Sequence, residues 1–253
     1  MPGAIVAIGG GLIRTRGTAG IDREIIRLSR KRHPKLLFIP TASSDSERYC
    51  RRVQEYFGNF LKCKVDLLFL MNRQIARGRI RAKILSADIV YVGGGNTLQM
   101  MRVWRQLGVD KLLMAAHENG AVLSGISAGA ICWFESGHSD SMSFYNARNW
   151  EYINVRGMGL LAGMFCPHYN GRTRGVARRR SFREILQRTG GIGIAVENNC
   201  AIEIVDGKYR VIRSNHYAKA YLLRTEGDGV LVKQIPRTEE LLPLDALFQK
   251  HRS

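Results

Sequence analysis

No stretch of the 253 residues approaches the roughly 18 to 20 uninterrupted apolar positions that a helical membrane span needs. Proline is scarce, at six residues, and there is no low-complexity tract, which excludes a disordered or fibrous chain. Cysteine is sparse and scattered. Cys50, Cys63, Cys132, Cys166 and Cys200 form an odd set with none of the close spacings of a redox or zinc motif, so reduced, buried thiols are expected. His117-Glu118 opens like a zinc-protease helix, but Ala121 stands where the second histidine would have to be. The first residues lack a basic leader and a cleavage site and read as a buried strand, so no export is expected and the cytoplasm is the expected compartment. Repeats and long linkers are also missing, which leaves one domain over 1–253 as the economical reading.

Acidic residues are few for the number of basic ones: 21 against 39, a net charge of +18. Basic residues gather over 14–35, 73–83 and 172–188, and Arg73, Arg77 and Arg81 recur every four residues, on one helical side. A strong positive field attracts nucleic acid, anionic surfaces or acidic substrates. Aromatics are not interleaved with these runs, as stacking on single strands requires, so they read as solvated helix faces and nucleic acid is disfavoured as a partner.

Hydrophobic residues make up 45% of the chain, enough for a sizeable core. Short apolar runs alternate with stretches of helical period, the pattern of a largely parallel sheet covered on both faces. Strands are predicted over 4–8, 36–39, 64–70, 89–92 and 121–124. Helices are predicted over 20–32, 46–61, 74–86, 97–106, 110–118, 128–134 and 175–188. Five short strands follow, over 192–196, 201–205, 209–212, 218–223 and 229–232, with Asp206-Gly207 as a hairpin turn, and they predict an antiparallel tail on the sheet.

The most informative stretch is Ala121-Val-Leu-Ser-Gly-Ile-Ser127-Ala-Gly-Ala130. An apolar strand runs into Gly-X-Ser-X-Gly and then a helix. A serine at such a turn projects its hydroxyl clear of the sheet, small neighbours let helix and strand pack, and the free N–H groups of the helix start face developing negative charge. The plainer reading is a tight turn in which serine only caps the helix. A second strand ends in Val92-Gly-Gly-Gly-Asn-Thr97, where glycines permit close backbone approach and Asn or Thr caps the next helix. A backbone N–H from this loop and that of Ala128 can together form an oxyanion hole. Gly9-Gly10-Gly11 lacks dinucleotide-binding spacing.

A nucleophilic serine needs a base. His168, in Phe165-Cys-Pro-His168-Tyr-Asn170, lies between a glycine-bearing loop and an Arg-rich helix. His33 and His251 sit in charged surface contexts and His117 at the end of a polar helix; His138 and His216 complete the set. The acid is expected from Glu135, Asp140 or Glu151. On a regular helix Glu135 stands about 12 Å from Ser127, whereas Asp140 can fold back from the following loop, so Asp140 is preferred.

Together, the glycine loop at 92–97, Gly125-Ile-Ser-Ala-Gly-Ala-Ile-Cys-Trp-Phe-Glu135, Asp140-Ser141 and Cys166-Pro-His-Tyr169 resemble the peptidase E family of serine peptidases. These are dipeptidases that remove an N-terminal aspartate and are related to cyanophycinases. The likeness runs from about residue 5 to residue 225, with four motifs in order. It implies a flavodoxin-like α/β three-layer sandwich with a mostly parallel sheet, related to class I glutamine amidotransferases. It also implies Ser127 as nucleophile, His168 as base, Asp140 as the acid, and Gly94 and Ala128 as oxyanion donors.

On that basis His168 takes the Ser127 proton as the hydroxyl attacks the carbonyl after an N-terminal aspartate, and no metal or organic cofactor is required. The expected partner is a small peptide with an acidic first residue. Its carboxylate calls for an arginine, sought among Arg172, Arg174, Arg178, Arg179 and Arg180. Two other readings are an amidohydrolase or acyltransferase using the same Ser–His pair on another acyl group, and a basic anion- or nucleic-acid-binding protein on the same fold.

Overall fold

The computed structural model describes residues 2–71 and 74–248. Five strands precede or carry the serine motif: β1 (Ile5–Ile8), β2 (Lys35–Ile39), β3 (Lys64–Leu67), β4 (Ile89–Val92) and β5 (Val122–Ile126). They pair in parallel in the order β1-β5-β4-β2-β3. Both faces of these strands are covered, which is why they read as continuous apolar runs rather than alternating ones. Val6 and Ile8 share one core with Ile21 and Ile25 of α1 (Ala19–Leu28) and Val53 of α2 (Glu47–Val53). Ile5 and Ala7, pointing the other way, share a core with Ile80 of α3 (Arg77–Leu85), Trp104 of α4 (Thr97–Leu107) and Leu113 of α5 (Val109–Glu118). Helix, sheet and helix therefore form three layers, as expected.

The helix predicted over 46–61 changes its hydrogen-bonding halfway, from α2 into a π-helical turn over Gln54–Phe60. There Tyr56 reaches Asp22 of α1, a carboxylate buried completely, whose Oδ2 accepts from the Tyr56 hydroxyl and from Thr18 Oγ1 at 2.8 Å each. Arg77 and Arg81 are exposed, in line with a solvated helix face. Arg73 and His251 lie outside the described residues.

The largest departure from the sequence reading follows Ser127. The helix predicted over 128–134 lasts one turn as α6 (Ala128–Ile131), and β6 (Phe134–Ser139) begins three residues later. With β7 (Ile153–Arg156) and β8 (Leu161–Cys166), β6 founds a second sheet. A small hairpin of β9 (Arg172–Thr173) and β10 (Val176–Ala177) leads into α7 (Arg178–Thr189), later than the predicted start at 175.

The antiparallel strands of the C-terminal part are divided between the two sheets. β11 (Ile192–Val196), β14 (Ala220–Glu226) and β15 (Gly229–Gln234) complete a six-stranded sheet in the order β15-β14-β11-β8-β6-β7. β12 (Cys200–Val205), β13 (Lys208–Arg213) and β16 (Leu242–Pro243) extend the first sheet beyond β1 to eight strands, and the short α8 (Asp245–Phe248) follows. The Asp206-Gly207 turn joins β12 to β13 with φ of 49° and 69°, the two positive values that such a hairpin requires. Phe182, Ile185 and Leu186 of α7 pack on Met164, Cys166, Ala195 and Leu223 of the second sheet, while Phe165, Ile194 and Leu222 face the main core. All five cysteines are free and buried. No helix among the described residues is long and apolar enough to cross a membrane.

Candidate active site

Ser127 closes β5 with φ 58° and ψ −115°, a conformation that an ordinary turn avoids and that a rigid surround must hold. The surround is specific. A Cβ on Gly125 would lie 2.0 Å from the Gly129 carbonyl oxygen, and one on Gly129 would lie 2.2 Å from that of Val92. Both positions must therefore be glycine for α6 to pack under the turn. The Ser127 N–H donates to the Ile8 carbonyl at 3.0 Å, and the Ser127 carbonyl accepts from Ala130 and Ile131. Its side chain makes no cap hydrogen bond to α6, so the capping role weighed for it is not the one it has.

The glycine loop after β4 lies against this turn. A Cβ on Gly94 would be 3.3 Å from Ser127 Cβ, and one on Gly95 would strike the Ala42 carbonyl oxygen at 2.1 Å. Asn96 caps α4 through its Oδ1, which accepts from the Gln99 N–H at 3.0 Å. The Gly94 amide faces the Tyr49 hydroxyl, whose pKa is pushed up to about 12 by burial and pulled down by that amide.

His168 sits at φ 50°, with its N–H donating to the Gly9 carbonyl at 2.9 Å and its carbonyl accepting from Gly171 at 2.7 Å. Its Nδ1 pairs with Asn198 Oδ1 at 2.5 Å. Burial, and next the charge of Arg178, lower its pKa from 6.5 to about 4, against the opposing pull of Asn198 and Asp140, so the imidazole is neutral near pH 7. With Nδ1–H given to Asn198, Nε2 keeps a free lone pair.

The acid expected beside His168 is elsewhere. Asp140 lines the same cavity, but its Oδ2 is held by Arg178 Nη2 at 2.6 Å and accepts from Thr173 Oγ1 at 2.9 Å. Arg178 is only 3% exposed and needs this carboxylate, which explains why Asp140 turns to it rather than to the imidazole. Glu135, the alternative, faces outward from β6, and its Oε2 accepts from the Gly163 N–H at 2.8 Å. Asn198 escapes the sequence reading because a lone asparagine between two strands carries no periodic signal. The available clue was Gly10. A Cβ there would fall 2.1 Å from Asn198 Oδ1 and 2.2 Å from His168 Nδ1, so this glycine leaves room for the pair.

Ser127, Gly95, Asp140, Phe144, His168, Arg172, Arg178 and Asn198 share one cavity of about 260 Å³. Cavities of about 680 and 620 Å³ elsewhere hold neither serine nor histidine. Of the arginines expected to meet an acidic substrate, Arg172 and Arg178 reach this cavity. Arg172 donates to the Gly175 carbonyl at 3.0 Å and has no ion-paired carboxylate among the described residues. Arg179 pairs with Glu197 at 3.5 Å and Arg180 with Glu184 at 2.8 Å, both away from it.

A strained serine under a glycine loop and a neutral histidine thus share one cavity on a mostly parallel α/β sheet, and the family comparison says which class of protein this arrangement belongs to. Peptidase family S51 matches residues 5–212, and the chain belongs to that family. It is 33% identical over 220 residues to the uncharacterized peptidase YgaJ of Bacillus subtilis, covering 86% of this chain and 90% of that protein. Peptidase E of Streptomyces coelicolor is 27% identical over 159 residues, 60% of each chain. Among solved structures, a peptidase from an acI-B1 Actinobacterium superposes with a TM-score of 0.74 at 17% identity, covering 96% of this chain and 97% of the other. A putative peptidase E of Listeria monocytogenes gives 0.61 at 22% identity, covering 84% of this chain and 99% of the other. At these identities the two structures support the fold.

Proposed function

We propose that this peptidase is a serine dipeptidase that releases an N-terminal aspartate, with Ser127 as nucleophile, His168 as base and Asn198 in the place expected for an acid. The observation that carries this reading is the neutral His168 imidazole, oriented by Asn198 in the cavity that Ser127 opens into. His168 Nε2 accepts the Ser127 proton as Oγ attacks the scissile carbonyl carbon. The amides of Ala128 and of Gly95 receive the developing oxyanion, since the Gly93 amide is given to the Ile39 carbonyl and the Gly94 amide, expected in this role, faces the Tyr49 hydroxyl. As the C–N bond breaks, the imidazolium returns the proton to the leaving amine. Water, activated by the same Nε2, then splits the acyl ester and restores Ser127. An orienting asparagine fixes the tautomer, as it does in other His-based sites, without adding negative charge.

Arg172 is the residue free to take the aspartate side chain. The free cysteines accord with a reducing, cytoplasmic setting. The test is kcat/KM for Asp-Leu against Asn-Leu, with fluorophosphonate labelling mapped to Ser127. Asp-Leu should be favoured about 10-fold or more, and Arg172→Met should remove most of that preference. A ratio near one withdraws the specificity, and absence of labelling withdraws the serine chemistry.

A further inference from the structure

Asp140 is the one carboxylate lining the catalytic cavity among the described residues, and the chemistry above gives it no step. Its Oδ2 is committed to Arg178 and Thr173, at 2.6 and 2.9 Å. No donor among the described residues bonds Oδ1, and Oδ1 is not among the sealed, unpartnered atoms of the protein. The side chain is 21% exposed and lines the cavity, which leaves Oδ1 as its uncommitted oxygen. The buried Arg178 clamp holds it there, as Arg178 Nη1 also donates to the His138 carbonyl and Nη2 to Thr173 Oγ1, at 3.4 and 3.3 Å. The cavity therefore presents one open carboxylate oxygen and one guanidinium, Arg172, without a carboxylate partner.

We propose that Asp140 Oδ1 is the subsite for the free α-ammonium group of the substrate's first residue. The proposal rests on the hydrolase reading and deepens it. An N-terminal aspartate offers a positive amine and a negative side chain on adjacent carbons, and the cavity offers the complementary pair in Asp140 and Arg172. Charge-assisted hydrogen bonds from a primary ammonium suit a fixed carboxylate oxygen. A peptide with a blocked N-terminus, or an internal aspartyl bond, has no cation to place there and leaves Oδ1 desolvated without a donor. The enzyme is then restricted to the chain end by one oxygen atom rather than by a wall.

The test compares Asp-Leu with succinyl-Leu, the same carbon skeleton without the amine, in wild type and in Asp140→Asn. Wild type should favour Asp-Leu by about 10- to 100-fold in kcat/KM, the range of a hydrogen bond to a charged group. Asp140→Asn should collapse that ratio to within about 3-fold, with the loss on Asp-Leu chiefly in KM. If the variant slows both substrates equally and leaves the ratio intact, Asp140 acts on the reacting groups or the fold and the proposal is overturned. Should Asp140→Asn not fold, wild type alone decides. The α-amine loses its proton at about 7.7 to 8.0, so kcat/KM for Asp-Leu should fall above that pH while succinyl-Leu does not follow. Equal rates and parallel profiles overturn the proposal. Failure of the hydrolase reading has a different signature: neither compound is cleaved and Ser127 is not labelled, which removes both.

Discussion

His168, on the loop after β8, and His138, within β6, share a protonation state and little else. Burial is the first cause of a depressed pKa in both, and the Arg178 charge adds to it in both. His138 is fully buried, with Nε2 against Ser181 Oγ at 3.1 Å, Nδ1 3.7 Å from Cys166 Sγ, and the ring stacked on Tyr152 at 4.3 Å. Each of its nitrogens has a neighbour, and the ring has no exposed surface. His168 spends one nitrogen on Asn198, and its other nitrogen has no hydrogen bond among the described residues, in the cavity that Ser127 also lines. A shifted pKa therefore does not distinguish a catalytic base from a packed ring. Access and a spare lone pair do.

The largest test of that contrast removes the proposed nucleophile. Ser127→Ala should lower kcat by about four orders of magnitude or more, with circular dichroism unchanged. Wild-type turnover in that variant would end the comparison, since neither histidine would then be catalytic. Next in size is the orienter. Asn198→Ala should cost about 10- to 100-fold in kcat. Asn198→Asp should move the acid limb of the kcat/KM profile upward from its expected position near pH 4, because a carboxylate on Nδ1 favours the imidazolium. An acid limb indifferent to residue 198 would place the base elsewhere.

Smaller still is the effect of the packed ring. His138→Gln should leave kcat within about 3-fold but cost about 1 to 3 kcal/mol of stability, read from urea unfolding, because Ser181 loses its partner and the Tyr152 stack is lost. The smallest effects concern pH and stability. A histidine whose folded pKa is lowered takes protons first in the unfolded chain. His168 therefore withdraws stability as pH falls from about 6.5 to about 4, and the slope should flatten when it is replaced. Asp22 works in the opposite sense. Burial raises its folded pKa from 3.8 to about 7, so its protonated form stabilises the fold at low pH and that contribution is lost as pH rises toward and through 7. Asp22→Asn should remove this second slope, seen as a flatter dependence of thermal midpoint on pH.

The same contrast marks how far the sequence could be read. The parallel strands were legible because residues buried on both faces leave continuous apolar runs, and the serine turn because Gly125 and Gly129 have no substitute. The second sheet was not. Ala128–Phe134 is apolar throughout, and periodicity cannot separate a buried helix from a helical turn followed by a strand. The partner of His168 was hidden for another reason. Asn198 meets the imidazole only because the turn carrying Asn199 at φ 60° passes the chain from one sheet to the other, a three-dimensional fact with no local pattern. Asp140, expected beside His168, pairs with Arg178 instead, because that pull depends on how deeply the guanidinium is buried.

The late crossing at Asn198, between β11 and β12, also bears on the order in which the candidate site is assembled. Residues 127, 168 and 198 come from well-separated parts of the chain, and the last is set only when β12 pairs with β1. A nascent chain emerging from the ribosome carries Ser127 long before it carries the residue that pairs with His168. The His168–Asn198 pair therefore completes only once β12 has docked on β1, and in refolding the return of full hydrolytic rate should trail the return of secondary structure.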